Sequence, residues 1–235
     1  MARNCAPASR TCTGRRRAAC VDSSTTMTAD AKFWDDIAEK YAAKPVENVT
    51  AFERKKAITR ERLRPGSTVL EIGCGTGSLA LEMSPFAGHI HAMDVSGEMI
   101  RIANQKKQAQ GVTNVTFRQG TLDGPAPYEP EHFDSAWAYS ILHLVPDRRR
   151  TLKTVFDLLK PGGSFISSNV CLGGTWVPYG AIITVLRWFG KAPVVHSYDR
   201  ETILREMREA GFVEIEEREV GGGKMVAFVV AKKPG

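Results

Sequence analysis

Residues 69–77 read Val69-Leu70-Glu71-Ile72-Gly73-Cys74-Gly75-Thr76-Gly77, and Asp94 stands about 20 residues beyond the first glycine. Glycines at alternate positions after an apolar, β-branched run let a ligand approach the backbone at a tight turn. The dinucleotide pattern G-x-G-x-x-G needs glycine at 78, where this chain has Ser78. Glu71 is also out of place beside a pyrophosphate; a carboxylate there suits a ligand with a cationic amino-acid tail and no phosphates. Asp94 can accept hydrogen bonds from both hydroxyls of a ribose. The plainer reading makes Glu71 a strand-end charge and Asp94 a helix cap.

A turn of this kind needs a frame. Residues 68–72 form a strand run, three glycines follow, and residues 78–83 return to helix, so the unit is strand, glycine-rich turn, helix. The pattern then predicts a strand at 89–94, a helix at 97–110 and a third strand at 115–119. A fourth strand falls at 133–138, a helix at 147–159, and a fifth strand at 164–170 after the turn Lys160-Pro161-Gly162-Gly163. Ahead of this frame, Phe33, Ile37, Ala38 and Tyr41 recur at helical spacing, with Asp30 available as N-cap. A charged second helix over 49–63 stops at Arg64-Pro65-Gly66. Behind the frame come a helix at 200–210 and strand runs at 213–220 and 225–231. Residues 221–224 between those runs are too short for a helical crossover, so the last two strands are antiparallel. The expected fold is α/β: a Rossmann-like, doubly wound sheet of seven strands, mostly parallel, with one antiparallel strand near the C-terminal edge.

At 235 residues, 43% hydrophobic and 25% charged, the chain suits one globular domain. Its net charge of +6 is uneven: residues 1–26 hold five arginines and one acid, leaving +2 for residues 27–235. The basic residues of that larger part are scattered, which argues against a nucleic-acid partner. Residues 1–26 read as a disordered basic leader, a transit peptide, or a stretch upstream of a true start at Met27. Cys5, Cys12 and Cys20 lie in this leader and Cys74 and Cys171 in the domain. Their spacing matches no metal pattern, so no metal is expected, and unpaired core cysteines suit a cytoplasmic setting.

A ribose and a cationic tail together describe S-adenosylmethionine. The segment 69–77 resembles the first motif of class I S-adenosylmethionine-dependent methyltransferases. The likeness continues through Met93-Asp94-Val95-Ser96-Gly97-Glu98-Met99, Phe133-Asp134-Ser135-Ala136 and Leu159-Lys160-Pro161-Gly162-Gly163, covering roughly residues 33–231. It is most similar to the small-molecule branch that holds quinone C-methyltransferases and phospholipid N-methyltransferases. The resemblance implies that Glu71, Gly73 and Gly75 line the methionine moiety, with Cys74 and Gly77 in the same turn. It gives the ribose to Asp94 and the nucleoside flanks to Ser96 and Met99 beside Val95, with Ala138 and Tyr41 completing the site. Where relatives carry Gly-Asp-Ala after the third strand, this chain has Gly120-Thr121-Leu122-Asp123. Adenine then falls to Leu122 and Asp123, although Asp123 reads equally well as a solvated loop residue.

Methyl transfer from a sulfonium needs no protein nucleophile, and a general base only where the acceptor must lose a proton. Tyr139 and His143, just past the fourth strand, are the candidates for that base; packing of the next turn is the plainer role for His143. An insertion over 173–198 carries Trp176, Tyr179 and Ile183 and reads either as a lid over an apolar acceptor or as a helix packed on the domain or on a dimer partner. Trp34 belongs to the same enclosure, or to the core. The expected partner is a small methyl acceptor, aromatic, isoprenoid or lipid, bound by a monomer or homodimer. No run is long enough for a membrane anchor, while amphipathic pieces leave room for transient contact with a membrane surface. Residues 138–141, Ala138-Tyr139-Ser140-Ile141, lack the Asp/Asn-Pro-Pro-aromatic pattern of nucleic-acid amino methyltransferases. A non-catalytic cofactor sensor and a nucleotide-dependent oxidoreductase stand as rivals.

Overall fold

The computed structural model describes residues 29–171, 195–221, 223 and 225–235. Two helices, α1 (Ala29–Ala43) and α2 (Val49–Arg60), precede the sheet. Then follow β1 (Thr68–Ile72), α3 (Ser78–Met83), β2 (His89–Asp94), α4 (Gly97–Ala109) and β3 (Val115–Gln119). The second half holds β4 (Phe133–Tyr139), α5 (Arg148–Leu158), β5 (Leu159–Val170), α6 (Arg200–Ala210), β6 (Val213–Glu217) and β7 (Val226–Lys232).

The seven strands lie in the order β3-β2-β1-β4-β5-β7-β6. Every pairing from β3 to β5 is parallel, and β7 runs antiparallel to both β5 and β6. The expected fold class is therefore the observed one. The strand order reverses beside β1, whose neighbours are β2 and β4. In open α/β sheets, ligands bind outside the carboxyl ends of the strands at such a switch point.

Alternation along β1 divides the core. Leu70 and Ile72 join Phe133, Leu152, Phe165 and Met207 on the α5/α6 face. Val69 joins Leu79, Ile90, Trp137 and Phe228 on the other face, which therefore also receives Glu71. Asp134 ties β1 to β4: its carboxylate accepts Thr68 N–H and the Lys160 ammonium, both at 2.8 Å. The small apolar patch of Ala38, Met99 and Ile102, with Trp34 and Ala42 against it, seats α1 on α4.

The larger boundary differences from the sequence reading fall in α1, α2, β5 and β6. α1 is described from Ala29, ahead of the expected Phe33, with Asp30 within it. Asn48 caps α2, its side chain accepting Ala51 N–H, and the helix stops at Arg60. β5 begins at Leu159, taking in the expected turn 160–163, because the C-terminal tail binds there: Lys233 N–H reaches the Gly163 carbonyl at 2.9 Å and Gly162 N–H reaches the Lys233 carbonyl at 3.1 Å. β6 stops at Glu217 after a register shift against β7.

Of the sequence expectations, the leader 1–26 and the substrate-binding candidates Trp176, Tyr179 and Ile183 lie outside the described residues, as does all but the end of the 173–198 insertion. Among the described residues, no helix is long and apolar enough to cross a membrane.

Candidate active site

A cavity of about 430 Å³ opens at the carboxyl ends of β1, β2 and β4, within the range of about 300–1,000 Å³ common for small-molecule sites. The glycine turn forms its floor. Gly75 has φ of +52°, and a methyl group built on it would meet only the Tyr41 ring, at 3.7 Å. The middle of the turn is thus bare backbone under an α1 side chain. Gly77 serves the core instead: with φ of +75°, a methyl there would lie 2.5 Å from the Phe117 ring and 2.9 Å from Ala103.

Asp94 borders the cavity beside the turn. Its Oδ2 accepts Gly75 N–H at 2.8 Å and its Oδ1 accepts Ser96 N–H at 2.9 Å. A carboxylate offers about four lone-pair sites, and with Val95 N–H also directed at it one stays open to a ligand. Burial pushes this carboxyl above its ordinary range, as does the charge of Asp35, against the backbone bonds from Ser96, Gly75 and Val95.

Of the residues predicted to bind cofactor, Gly73, Gly75, Asp94, Val95, Met99, Leu122, Asp123 and Tyr41 line this one cavity, and Trp34, predicted for substrate, lines it too. Tyr41 is half exposed, at 51%, at its rim. Five others stand behind the wall. Gly77 and the fully buried Ala138 belong to the core, and the Cys74 thiol is buried against the Gly75 carbonyl at 3.7 Å. Ser96 caps α4, accepting Met99 N–H at 3.0 Å.

Glu71 is the most informative displacement. It is buried to 2% exposure, outside the cavity lining, and receives a backbone hydrogen bond from Ala80 in the first turn of α3. That helix begins on Gly77, which has no side chain to cap it, so Glu71 satisfies one of the orphan N–H groups from the neighbouring strand. Its Oε2 has no partner among the described residues. Burial, reinforced by Asp94, pushes its titration up to about 8, so the acid is largely neutral at pH 7.

Tyr139 lines the cavity, but its hydroxyl turns to α2, lying 2.7 Å from Thr59 Oγ1 and donating to the Lys55 carbonyl at 3.3 Å. Burial raises its titration well above the ordinary tyrosine range. A phenol bonded to α2 and held protonated is the wrong form for a base. His143 is not in the cavity lining. Burial lowers it to about 4, so the imidazole is neutral, and its buried Nδ1 has no partner among the described residues. The His143 carbonyl accepts His196 N–H at 2.8 Å, joining the end of the insertion to this turn.

Sequence reasoning missed the far wall: Ile141, Leu144, Val145 and Pro146, with Thr151 from α5. The apolar run after β4 was the available signal. It also missed Ser140, which lines the cavity with φ of +53° and donates its N–H to the Ser168 carbonyl at 2.8 Å. A non-glycine residue in that region costs roughly 1–3 kcal/mol and is concentrated at functional sites. Outside the lining, Lys55 is a half-buried ammonium donating to Ser168 Oγ at 2.8 Å, its titration lowered by burial.

The charge of the site is one-sided. Among the described lining residues, the ionisable carboxylates are Asp94 and Asp123, and none is Lys or Arg. Such a wall repels phosphates and suits a ribose and a cation.

Comparison with known proteins agrees with this geometry. Residues 63–209 match the family model described as a methyltransferase domain. A ubiquinone biosynthesis O-methyltransferase of Xanthomonas euvesicatoria is 29% identical over 127 residues, 54% of this chain and 52% of that protein. A demethylmenaquinone methyltransferase of Desulfitobacterium hafniense is 25% identical over 202 residues, 77% of this chain and 79% of that one. The chain thus spans about half the length of the first relative and more of the second. In fold it is similar to a phosphoethanolamine N-methyltransferase of Haemonchus contortus solved with S-adenosyl-L-methionine, at a TM-score of 0.67 and 16% identity, covering 86% of this chain and 60% of that one. The chain belongs to the class I S-adenosylmethionine-dependent methyltransferases.

Proposed function

We propose that this chain transfers the methyl group of S-adenosylmethionine to a small, apolar or lipid-like acceptor. The observation that carries the reading is a cavity at the sheet's switch point whose described charged groups are carboxylates and whose far wall is aliphatic. When bound, S-adenosylmethionine supplies a methyl group already activated on a sulfonium. The chain's residues then have to bind, align and exclude water.

In this reading Asp94 takes the ribose hydroxyls with the acceptor capacity left over from the Gly75, Ser96 and Val95 backbone bonds. Val95, Met99, Leu122 and Asp123 bracket the base, while Gly73, Gly75 and Tyr41 hold the amino-acid end. Glu71 acts at one remove, by fixing the start of α3 behind the turn. Ile141, Leu144, Val145 and Pro146 face the acceptor and keep water from the reacting centre. His143, neutral but behind the cavity lining and made less basic by burial, is the candidate base for an acceptor that must lose a proton.

Incubation with methyl-labelled S-adenosylmethionine and a metabolite extract, followed by partition into solvent, tests the reading. Label in the organic phase with an equal amount of S-adenosylhomocysteine is expected. Label confined to the aqueous phase would overturn the apolar acceptor. Tight cofactor binding with no labelled product from any extract would favour the sensor.

A further inference from the structure

Asp94 is held from behind by a side chain that never reaches the cavity. Ser96, whose N–H donates to Asp94 Oδ1, is fully buried, and its hydroxyl donates to Asp35 Oδ1 at 2.6 Å. The same Asp35 oxygen accepts Glu98 N–H at 3.0 Å. Asp35 therefore grips the first turn of α4 from α1, next in sequence to Trp34, which lines the cavity. A bonded chain runs from α1 through Ser96 and Asp94 to Gly75.

The apolar seat of α1 on α4 is small, with Ala38, Met99 and Ile102 its buried members. Burial of a few small side chains gives a helix little preference for one position. A charged acceptor taking a hydroxyl and a backbone N–H supplies the missing geometric definition. Loss of Asp35 would leave the buried Ser96 hydroxyl without its acceptor, and that hydroxyl belongs to the residue whose N–H orients Asp94.

We propose that Asp35 is a positioning residue for cofactor binding, fixing the ribose-directed carboxylate of Asp94 through Ser96 and seating the α1 wall of the cavity with the same oxygen. The inference rests on the reading of the cavity as the cofactor site. It makes ribose recognition and placement of the α1 wall one event: a ligand that engages Asp94 correctly finds Trp34 and Tyr41 in place.

Asp35 also acts by charge. The ionisable groups that face Asp94 are Asp35 and Tyr41 from α1, Glu71 from β1 and Cys74 from the turn. After burial, the Asp35 charge is what raises the Asp94 carboxyl. Ribose binding needs the ionised form, so affinity for S-adenosylhomocysteine falls as pH drops through that titration. Removing the Asp35 charge moves this acid limb to lower pH.

The test measures dissociation constants of S-adenosylhomocysteine and its 2′,3′-dideoxy analogue for the full chain, by calorimetry. Asp35→Ala should weaken the natural ligand about tenfold and the dideoxy analogue by less than about threefold, the worth of a charge-assisted bond. Asp35→Asn, whose amide oxygen accepts both bonds, should stay within about threefold of wild type at pH 7 with its acid limb shifted down. Ser96→Ala should repeat the Asp35→Ala selectivity, and it decides the matter if Asp35→Ala does not fold. Equal losses for both ligands, or wild-type affinity in Ser96→Ala, would overturn the inference. Failure of the wild-type chain to bind S-adenosylhomocysteine would instead overturn the reading of the cavity.

Discussion

The carboxylate of Asp94 takes the backbone N–H of Gly75 at 2.8 Å, which makes the acid ending β2 and the middle of the turn after β1 a single bonded unit. Asp94→Asn cannot accept at both oxygens, so it disturbs the turn and the ribose contact together. S-adenosylhomocysteine affinity should fall about 10–100-fold, one or two charge-assisted hydrogen bonds. Calorimetric titration measures it; unchanged affinity would remove Asp94 from the site.

Gly75 and Gly77 look alike in sequence and differ in what surrounds them. Gly77→Ala drives a methyl group into Phe117 and Ala103, and overpacking with a left-handed backbone should cost about 2–4 kcal/mol. Gly75→Ala meets only the Tyr41 ring and should cost about 1–2 kcal/mol, for the backbone alone. Its larger effect should be on S-adenosylhomocysteine binding. Urea unfolding beside calorimetry separates the two; equal stability losses would contradict this division.

Glu71 gives a pH signature. Its folded titration near 8 lies above the ordinary 4.5, so the native state keeps a proton that the unfolded chain releases. This contribution to stability is full below about pH 4.5 and is lost as pH rises through about 8. Glu71→Gln keeps a neutral side chain of similar shape and should remove that slope, unfolding later than wild type at about pH 9 by a margin on the order of a few kcal/mol. Denaturation midpoints at acid, neutral and alkaline pH measure it. A parallel pH dependence in both proteins would show that Glu71 is ionised throughout.

Tyr139 and His143 should separate in turnover. Tyr139→Phe removes the contact with Thr59 and should cost about 1 kcal/mol of stability with little change in kcat. His143→Gln should lower kcat about tenfold or more for an acceptor that must lose a proton, leaving S-adenosylhomocysteine affinity near wild type. With its titration near 4, the wild-type histidine gives no activity step between about pH 6 and 8. A large kcat loss in Tyr139→Phe would reverse the two roles.

Strands, helices and the reversed edge were legible because alternation, helical period and link length are local properties of a sequence. Gly75 and Asp94 were legible for the same reason, lying at fixed offsets from strand ends. The place of Glu71 was not: strand alternation turns it away from the α5/α6 face, but only tertiary structure shows the uncapped start of α3 waiting there. Asp35 was equally hidden, since its partners lie 61 and 63 residues away and no spacing rule joins them. The bond of the Tyr139 hydroxyl to Thr59 was hidden because the position of α2 could not be read from its charged pattern.

α1 rests on α4 through a patch whose buried members are Ala38, Met99 and Ile102, while the sheet below it is closed by two large clusters. Local opening free energies follow such differences in buried apolar contact. Opening of the helix while every strand stays paired is the expected outcome. The residence time of a spent cofactor should accordingly track this local opening and stay insensitive to the melting temperature of the whole domain.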